Sequence, residues 1–200
     1  LRFKPIIYWV MDLNPDQIIA LGKVKNGSVP VRIMNWLNRR ILGRARRIVA
    51  LDRFMLERLQ MKCDIADKTA IIPPWAHDDH IEMIEHADNP WRNEHIAEEK
   101  FVVMYSGNHG FSTPVQSVLD AAMLLQGDTG MEFMFIGGGV GKQLVNDAIE
   151  SQSSTNVRSL PYQPFEILRY SLSAADVHLV TVGDNVVGIV HPCKIYGAMA

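Results

Sequence analysis

Cysteines and long apolar runs are scarce in this sequence. The two cysteines, Cys63 and Cys193, lie far apart and have no metal-ligand spacing. We therefore expect no disulfide framework, and this cysteine usage favours a reducing compartment. No apolar run reaches the roughly 18 residues of a membrane span, so the sequence predicts no transmembrane helix. Hydrophobic residues nevertheless make up 48% of the 200 positions, which is enough to bury a core in one or two domains.

Metal-binding patterns are also missing. Seven histidines are scattered along the chain, and the closest group is formed by His77, His80 and His86 in a polar, acidic segment. No cysteine and no strand scaffold accompanies these histidines, so a zinc site is not expected there. We expect neither a metal nor another cofactor.

Acidic residues are absent from one long stretch. Between Gln17 and Leu51 the chain carries eight lysines and arginines and no carboxylate, so this stretch has a charge of +8. Since the net charge is −2, the remaining residues carry −10. Positive charge is thus concentrated on one part of the chain and is not mixed with negative charge.

Within this basic stretch, apolar residues recur at helical spacing from Val31 to Leu42. A basic amphipathic helix with a tryptophan can bind an anionic lipid surface. It can equally be a core helix with an arginine-rich outer face. A nucleic-acid interpretation lacks interleaved stacking aromatics. The candidate membrane or acceptor surface consists of Trp36, Arg39, Arg40, Arg44 and Arg47.

A different pattern organises the stretch from Phe101 to Leu144. Two apolar runs, Phe101–Tyr105 and Met131–Ile136, each end at a glycine-bearing turn that leads into a helix-period segment. Mainly apolar strands without polar alternation, joined by crossover helices, predict a parallel sheet buried on both faces. The fold class is therefore α/β.

The two turns, Ser106-Gly107-Asn108 and Gly137-Gly138-Gly139, should lie side by side at the carboxyl edge of that sheet. Open α/β sheets bind ligands at this edge, where glycines let backbone N–H groups approach a phosphate. Neither turn has the G-x-G-x-x-G spacing of a dinucleotide site. Glycines that serve only tight strand-to-helix turns are the alternative.

The segment before the glycine turns predicts a second set of alternating elements. Pro5–Met11 is an apolar run expected to be a buried strand, and Asp12 follows it either as a functional carboxylate or as a helix cap. Further along we predict a strand at Arg47–Leu51, a helix at Arg53–Lys62 capped by Asp52, and a strand at Thr69–Ile72. Pro73 and Pro74 then indicate a domain boundary.

After the tandem unit we predict a strand near Val157, a helix at Pro164–Leu172 and a strand at Asp176–Val182. A last helix opens after His191-Pro192-Cys193-Lys194, with Pro192 suited to helix initiation. A lysine in the first turn of a helix opposes the macrodipole unless it meets an anion. Lys194 is therefore a candidate phosphate contact.

The order of these motifs resembles the retaining glycosyltransferases of family 4, in particular those of bacterial polysaccharide, capsule or O-antigen assembly. The resemblance covers about Pro5 to Ala200 and rests on "IIP", "YSGNHG", "VLDAAMLL", "FIGGG", "LPYQP", "LSAADVHLV" and "PCKIYGAMA". It implies a GT-B fold of two Rossmann-like domains, both incomplete here. Residues 1–72 would be the last part of the acceptor-binding domain, and residues 73–200 the linker and most of the nucleotide-sugar-binding domain.

The resemblance also implies a reaction and a set of site residues. The reaction is sugar transfer from a nucleoside diphosphate sugar to a carbohydrate or lipid-linked acceptor, in the cytoplasm or at the inner face of the plasma membrane, without a bound metal. Asp12 is the candidate for contacting or deprotonating the acceptor hydroxyl. The candidate donor-binding residues are Ser106, Gly107, Asn108, Gly137, Gly138, Gly139, Lys142, His191, Cys193 and Lys194.

This sequence departs from the family pattern at several positions. The paired glutamates of many members are replaced by Ile189 and Gly197, and Asn108 and Thr113 lie near the places of the usual Arg and Lys. Neutralisation of a diphosphate would then depend on backbone N–H groups, Lys194 and Lys142. A GT-B epimerase and a catalytically degenerate nucleotide-binding relative are the alternatives. We expect an interdomain hinge within Pro73–Lys100 and no transfer activity from these 200 residues alone.

Overall fold

The computed structural model describes residues 4–75, 82–97, 99–151 and 155–199, and it contains two compact units. The first unit comprises Leu1–Pro74 and Val182–His191, and the second comprises Trp75–Thr181 and Pro192–Ala200. The chain therefore passes between the units three times. Residues 182–191 belong to the first unit, although the division made from the sequence assigned them to the second domain.

The first unit contains a three-stranded parallel sheet in the order β1-β2-β3. Its strands are β1 (Ile7–Trp9), β2 (Arg47–Ala50) and β3 (Thr69–Ile71), and its helices are α1 (Asp16–Ala20), α2 (Val29–Arg44) and α3 (Arg53–Gln60). All three predicted strands and the predicted helices are present. A proline in the first turn of α2 and the side chain of Asp52, which accepts a 2.7 Å hydrogen bond from Met55 N, explain where α2 and α3 begin.

The prediction that the first strand is buried is wrong for β1. Its residues Ile7 and Trp9 are 71% and 41% exposed. Ile7 and Trp9 lie on the face of the sheet opposite to Tyr8 and Val10, which pack against the core of this unit, and β1 pairs only with β2 in the described part of the chain. An unbroken apolar run indicates a strand but does not reveal how many neighbours the strand has.

The core of the first unit is completed by the returning segment, residues 182–191. Val186 and Ile189 are fully buried against residues such as Leu42 and Ile48. The segment is attached through an antiparallel bridge between Asp12 and Val190, in which Leu13 N donates to Ile189 O at 3.0 Å. The segment therefore packs as an integral part of this unit.

The second unit contains a four-stranded parallel sheet in the order β6-β5-β4-β7. The strands are β4 (Phe101–Ser106), β5 (Met131–Ile136), β6 (Val157–Leu160) and β7 (Val177–His178). The helices are α4 (Pro90–His95), α5 (Gln116–Leu124), α6 (Lys142–Glu150), α7 (Leu168–Leu172) and α8 (Lys194–Met199). The strand predicted at Asp176–Val182 is much shorter, because its partner β4 pairs with only two of its residues and the chain enters the first unit at Val182.

The two central strands of this sheet are buried on both faces, as predicted. Tyr105, Phe133 and Phe135 pack on one side with residues of α5 and α6, whereas Met104 and Met134 pack on the other side with Trp91 of α4. Successive residues of a strand point to opposite faces, so an uninterrupted apolar run supplies both layers.

Part of the predicted hinge, Pro73–Lys100, belongs to this core. Trp91 is 5% exposed, and Asn89 caps α4 by accepting a hydrogen bond from Arg92 N at 3.0 Å. Residues 76–81 of the predicted hinge lie outside the described residues. None of the helices in the described ranges is long and apolar enough to cross a membrane.

Candidate functional site

The two glycine turns lie side by side at the carboxyl ends of β4 and β5. Ser106 pairs with Ile136 in the parallel register, and Gly107 N donates to Ile136 O at 2.9 Å. His109 N donates to Gly138 O, and Gly141 N donates to His109 O, both at 2.8 Å. The turns therefore form one hydrogen-bonded structure, which is called the paired turns below and spans residues 106–110 and 136–142.

Close packing of the paired turns requires glycine at position 137. Its φ is +122°, and an added Cβ would lie only 2.1 Å from the carbonyl oxygen of Gly107. No real Cβ contact is that short, so a side chain here would force the turns apart. Gly137 therefore has a packing role, whether or not a ligand binds.

Some backbone amides of the paired turns remain available for an anion. In the described structure, the N–H groups of Asn108, Gly138, Gly139 and Val140 donate to no protein acceptor, whereas those of Gly107, His109, Gly137 and Gly141 all do. Amides left over at a turn after a parallel strand can bind phosphate oxygens. These four are the candidate backbone donors of the site.

Lys142 is held by the protein itself. Its Nζ donates to the carbonyl oxygens of Phe135 at 2.7 Å and Leu160 at 2.8 Å, at the ends of β5 and β6. Burial lowers the pKa of its ammonium group to about 8. These bonds tie Lys142 to the sheet edge, so two of its three N–H donors are already occupied.

Lys194 lies against the first of the paired turns, within the second unit. Its Nζ donates to the hydroxyl of Tyr105 and lies 4.0 Å from the centre of that ring. A Cβ added to Gly107 would be 3.4 Å from Lys194 Cε, so the lysine side chain is in contact with this turn. The structure thus brings together Lys194, Ser106, Gly107, Asn108 and the three glycines 137–139, as the sequence predicted.

His109 is a buried residue of the paired turns that sequence reasoning did not select. Its Nδ1 lies 3.3 Å from Gly138 O, and Nε2 has no hydrogen-bond partner in the described structure. Burial, together with the nearby charges of Lys142 and Lys194, lowers its pKa to about 4, although the Gly138 carbonyl acts in the opposite direction. The imidazole is therefore neutral at pH 7. A histidine between two turn glycines was the signal available in the sequence.

The remaining predicted site residues are divided between the units. His191 belongs to the first unit, where its Nδ1 lies 2.8 Å from Asp52 Oδ2 while Asp52 Oδ1 caps α3. Asp12 is exposed at the carboxyl end of β1. Cys193 is exposed and belongs to the second unit. Within each unit taken by itself, only the second therefore gathers a set of predicted donor-binding residues.

The predicted membrane or acceptor surface lies on α2 and the start of β2. Val31 and Leu42 of α2 are buried, whereas Ile33 and Trp36 are more than half exposed. The four predicted arginines, Arg39, Arg40, Arg44 and Arg47, are all exposed, and the Arg40 guanidinium lies 5.4 Å from the Trp36 ring centre.

A cavity of about 350 Å³ beside them is lined by Asn26, Gly27, Val31, Arg32, Asn35, Trp36 and Arg39. The lining contains no carboxylate.

The described residues contain no cluster of three or more metal-ligating side chains. His86 lies 3.9 Å from Asp176, whereas His77 and His80 are outside the described residues.

Comparison with known proteins connects this arrangement to glycosyltransferases. The chain is 27% identical over 204 residues to the probable glycosyltransferase WbjE of Pseudomonas aeruginosa, covering 100% of this chain and 50% of that protein. It is 25% identical over 196 residues to the putative colanic acid biosynthesis glycosyl transferase WcaI of Escherichia coli, covering 96% and 48%. The chain thus spans about half the length of these relatives. No protein-family profile matches it.

Solved structures share the fold. WaaG, a glycosyltransferase involved in lipopolysaccharide biosynthesis, superposes with a TM-score of 0.73 at 16% identity, covering 98% of this chain and 54% of WaaG. Anabaena HepE, solved in complex with UDP and glucose, gives a TM-score of 0.64 at 16% identity, covering 88% and 45%. The chain is thus similar in sequence to glycosyltransferases, and its two units have the Rossmann-like α/β architecture of the GT-B fold.

Proposed function

We propose that this chain is part of a retaining glycosyltransferase that moves a sugar from a nucleoside diphosphate sugar to an acceptor hydroxyl in the synthesis of a cell-surface polysaccharide or glycolipid. The observation that carries the proposal is the set of free amides in the paired turns with Lys194 beside them, on a chain similar to WbjE and WcaI. HepE, of the same fold, has been solved with UDP-glucose. That complex supports a nucleotide-sugar donor.

The two units would bind different substrates. The second unit would bind the donor, with the amides of Asn108, Gly138, Gly139 and Val140 and the ammonium of Lys194 around the diphosphate. The first unit would bind the acceptor. Because Lys142 is committed to two carbonyl oxygens, Lys194 is the cation we assign to the diphosphate.

In the proposed transfer, the bond between the anomeric carbon and the diphosphate oxygen breaks, and its electron pair leaves with the diphosphate. The acceptor oxygen forms the new bond on the same face of the sugar and gives up its proton. Preorganised N–H donors and a cation stabilise the charge that develops on the leaving group. Asp12, exposed at a carboxyl strand end, is the residue we propose to contact or deprotonate the acceptor hydroxyl.

We further propose that the protein works in the cytoplasm, peripherally at the inner face of the plasma membrane, where lipid-linked acceptors are presented. The exposed arginines and tryptophan of α2 support this placement, because arginines near an anionic leaflet are attracted to it. Since the 200 residues span about half of each curated relative, we expect them to transfer no sugar by themselves.

One observation favours a second candidate, a degenerate relative that binds nucleotide without catalysis. Ile189, at the position of the first family glutamate, is 2% exposed inside the core of the first unit, and Gly197 replaces the second. Neither position supplies a carboxylate to recognise the sugar. A GT-B epimerase, which would need clustered carboxylates and histidines, is the other alternative.

Incubation of the protein in its full length with several nucleoside diphosphate sugars distinguishes these functions. A transferase releases nucleoside diphosphate in proportion to glycosylated acceptor, and the product keeps the anomeric configuration. An epimerase interconverts the donor sugar with no acceptor present. Saturable binding of nucleotide without turnover of any donor and acceptor pair would identify the degenerate relative and contradict the proposed transfer.

A further inference from the structure

Tyr105 occupies an unusual position for a buried aromatic residue. It lies one residue before the end of β4, and it is 1% exposed. Its ring packs against those of His109, at 4.8 Å between ring centres, and Phe135, at 6.3 Å. Its hydroxyl group reaches the first of the paired turns, so one side chain joins the apolar core to the candidate donor site.

The hydrogen bonds of this hydroxyl have defined directions. The Tyr105 hydroxyl donates its only proton to the carbonyl oxygen of Asn108 at 2.9 Å. The same oxygen accepts a hydrogen bond from Lys194 Nζ. A phenol has one donor and lone pairs to accept with, so the bond to Asn108 leaves a lone pair to receive the ammonium.

The position of Lys194 follows from these contacts. The ammonium lies over the Tyr105 ring, 4.0 Å from its centre, where the negative face of the ring attracts a cation. One of its three N–H donors is used by Tyr105, and this is its only hydrogen bond to the protein in the described structure. Two donors therefore remain for an anion at the Gly107 turn.

The ammonium groups of Lys142 and Lys194 are held in different ways. Its ammonium is fixed by two carbonyl oxygens, which are neutral acceptors at the sheet edge. Lys194 is instead fixed by a single hydroxyl that is itself anchored to the turn carrying the free amide of Asn108. The ammonium and that amide are thus placed relative to each other through one side chain.

We propose that Tyr105 is a positioning residue that holds the ammonium of Lys194 at the paired turns, ready to bind the diphosphate of the donor. This inference rests on the proposed function, since it concerns the same donor site. It adds a residue that does not itself touch the diphosphate and acts through Lys194. Removal of the Tyr105 hydroxyl leaves the charge of Lys194 in place but removes the bond that sets its direction.

Calorimetric titration with UDP, compared with uridine, tests the inference. Tyr105→Phe keeps the ring and its packing and should weaken UDP binding about three- to tenfold, the effect of losing one hydrogen bond in the chain that orients a charge. Uridine, which lacks the diphosphate, should bind as it does to the unchanged protein. In a Lys194→Ala background, the Tyr105→Phe change should have no further effect.

The matched control is Tyr170→Phe. Tyr170 also pairs with a cation, since its hydroxyl accepts a 2.7 Å bond from Arg169, whose guanidinium lies 4.7 Å from the ring centre. This pair is not part of the paired turns, so its loss should leave the UDP affinity unchanged. Thermal unfolding of each variant checks that the fold is retained.

Lys194→Arg tests the positioning role by changing the cation and leaving the buried ring of Tyr105 unaltered. If the position of the cation matters, a planar guanidinium cannot replace the ammonium that is bonded to Tyr105. The Lys194→Arg variant should then bind UDP almost as poorly as the Lys194→Ala variant. Two results would overturn the positioning role. One is wild-type UDP affinity in Lys194→Arg, and the other is wild-type UDP affinity in Tyr105→Phe while Lys194→Ala weakens binding. Either result is compatible with the proposed donor site. Absence of nucleoside diphosphate binding in the unchanged protein removes the proposed function and the inference together.

Discussion

The sheet of the second unit is covered by segments close to it in sequence, whereas the first unit completes its core with a segment from far along the chain. α5 and α6 directly follow the strands that they cover. Val186 and Ile189, by contrast, join a core otherwise formed within residues 10–65. The first unit is thus the one whose stability depends on distant residues, and it also carries the exposed edge strand β1.

The same division applies to charge and chemistry. The second unit holds the paired turns, where two lysines and a neutral buried histidine meet free backbone amides. The first unit carries the arginine-rich surface of α2 and the Asp52–His191 pair. Changes in the two regions should therefore produce separable losses, one in folding or surface binding and the other in nucleotide binding.

The largest effect is expected from Ile189→Glu, which introduces the glutamate of the family that the sequence resembles at a position that is 2% exposed here. A carboxylate buried among apolar side chains without a partner should lower the unfolding free energy of the first unit by about 4 to 5 kcal/mol. Hydrogen exchange should show lost protection of the β2 amides, with the β5 amides much less affected.

Gly197→Glu is the control, because a Cβ there meets no heavy atom within 4 Å. We expect it to leave both units folded. An Ile189→Glu protein of unchanged stability would show that residues 182–191 do not complete the first core.

The second effect concerns the basic surface. Each arginine near an anionic leaflet contributes on the order of 1 kcal/mol, so changing Arg39, Arg40, Arg44 and Arg47 to Gln should cost about 4 kcal/mol of vesicle affinity. The full-length protein should sediment with acidic vesicles at low salt and be released as salt rises, while the variant stays in the supernatant. UDP affinity should not change. An unchanged protein that fails to sediment at low salt would show that these arginines only face solvent.

The third effect is a pH dependence of the second unit. The pKa of His109 is about 4 in the folded chain and 6.5 ordinarily, so below pH 6.5 the unfolded chain takes up the proton first. The unfolding free energy should therefore decrease as the pH falls from 6.5 to 4, by at most about 3 kcal/mol from this group.

His109→Asn should flatten this dependence. A remaining slope is expected from His178, whose pKa is also lowered by burial. Denaturant unfolding at pH 7, 5.5 and 4.5 measures the difference between the two proteins. Parallel stability profiles would mean that His109 is not held neutral by its surroundings.

The smallest effect is expected at the donor site. Lys194→Ala should weaken nucleoside diphosphate binding by about 1 to 3 kcal/mol, through loss of a charge-assisted hydrogen bond. Asp12→Asn, in the first unit, should leave that affinity unchanged while it lowers transfer. If calorimetry gives equal affinities for Lys194→Ala and the unchanged protein, Lys194 is not part of the donor site.

The second unit was predicted well from the sequence because its signals are local. Apolar runs at 101–105 and 131–136 followed by glycine turns determine both the parallel pairing and the position of the turns. Lys194 was predicted to meet the glycine turns at this sheet edge, whereas its bond to Tyr105 was missed. Within an apolar strand, the sequence does not distinguish such a tyrosine from any other aromatic residue of the core.

The first unit was predicted less completely because its deciding contacts are not local. The loop formed by Gly183, Asp184 and Asn185 after β7 gave no sign that Val186 and Ile189 would join the core of the other unit. The pairing of His191 with Asp52, 139 residues apart, and the exposure of β1 depend in the same way on which segments become neighbours in space. Spacing along the chain does not contain that information.

The returning segment also fixes an order of events during synthesis. Residues up to Pro74 leave the ribosome well before Val182, and at about 5 to 20 residues per second the interval is roughly 5 to 20 s. During that time the second unit can complete its local β-α-β pairs, while the first still lacks Val186 and Ile189. Of the cores described here, that of the first unit is therefore completed later than those of the second unit, and its apolar surface stays uncovered on the nascent chain during this interval.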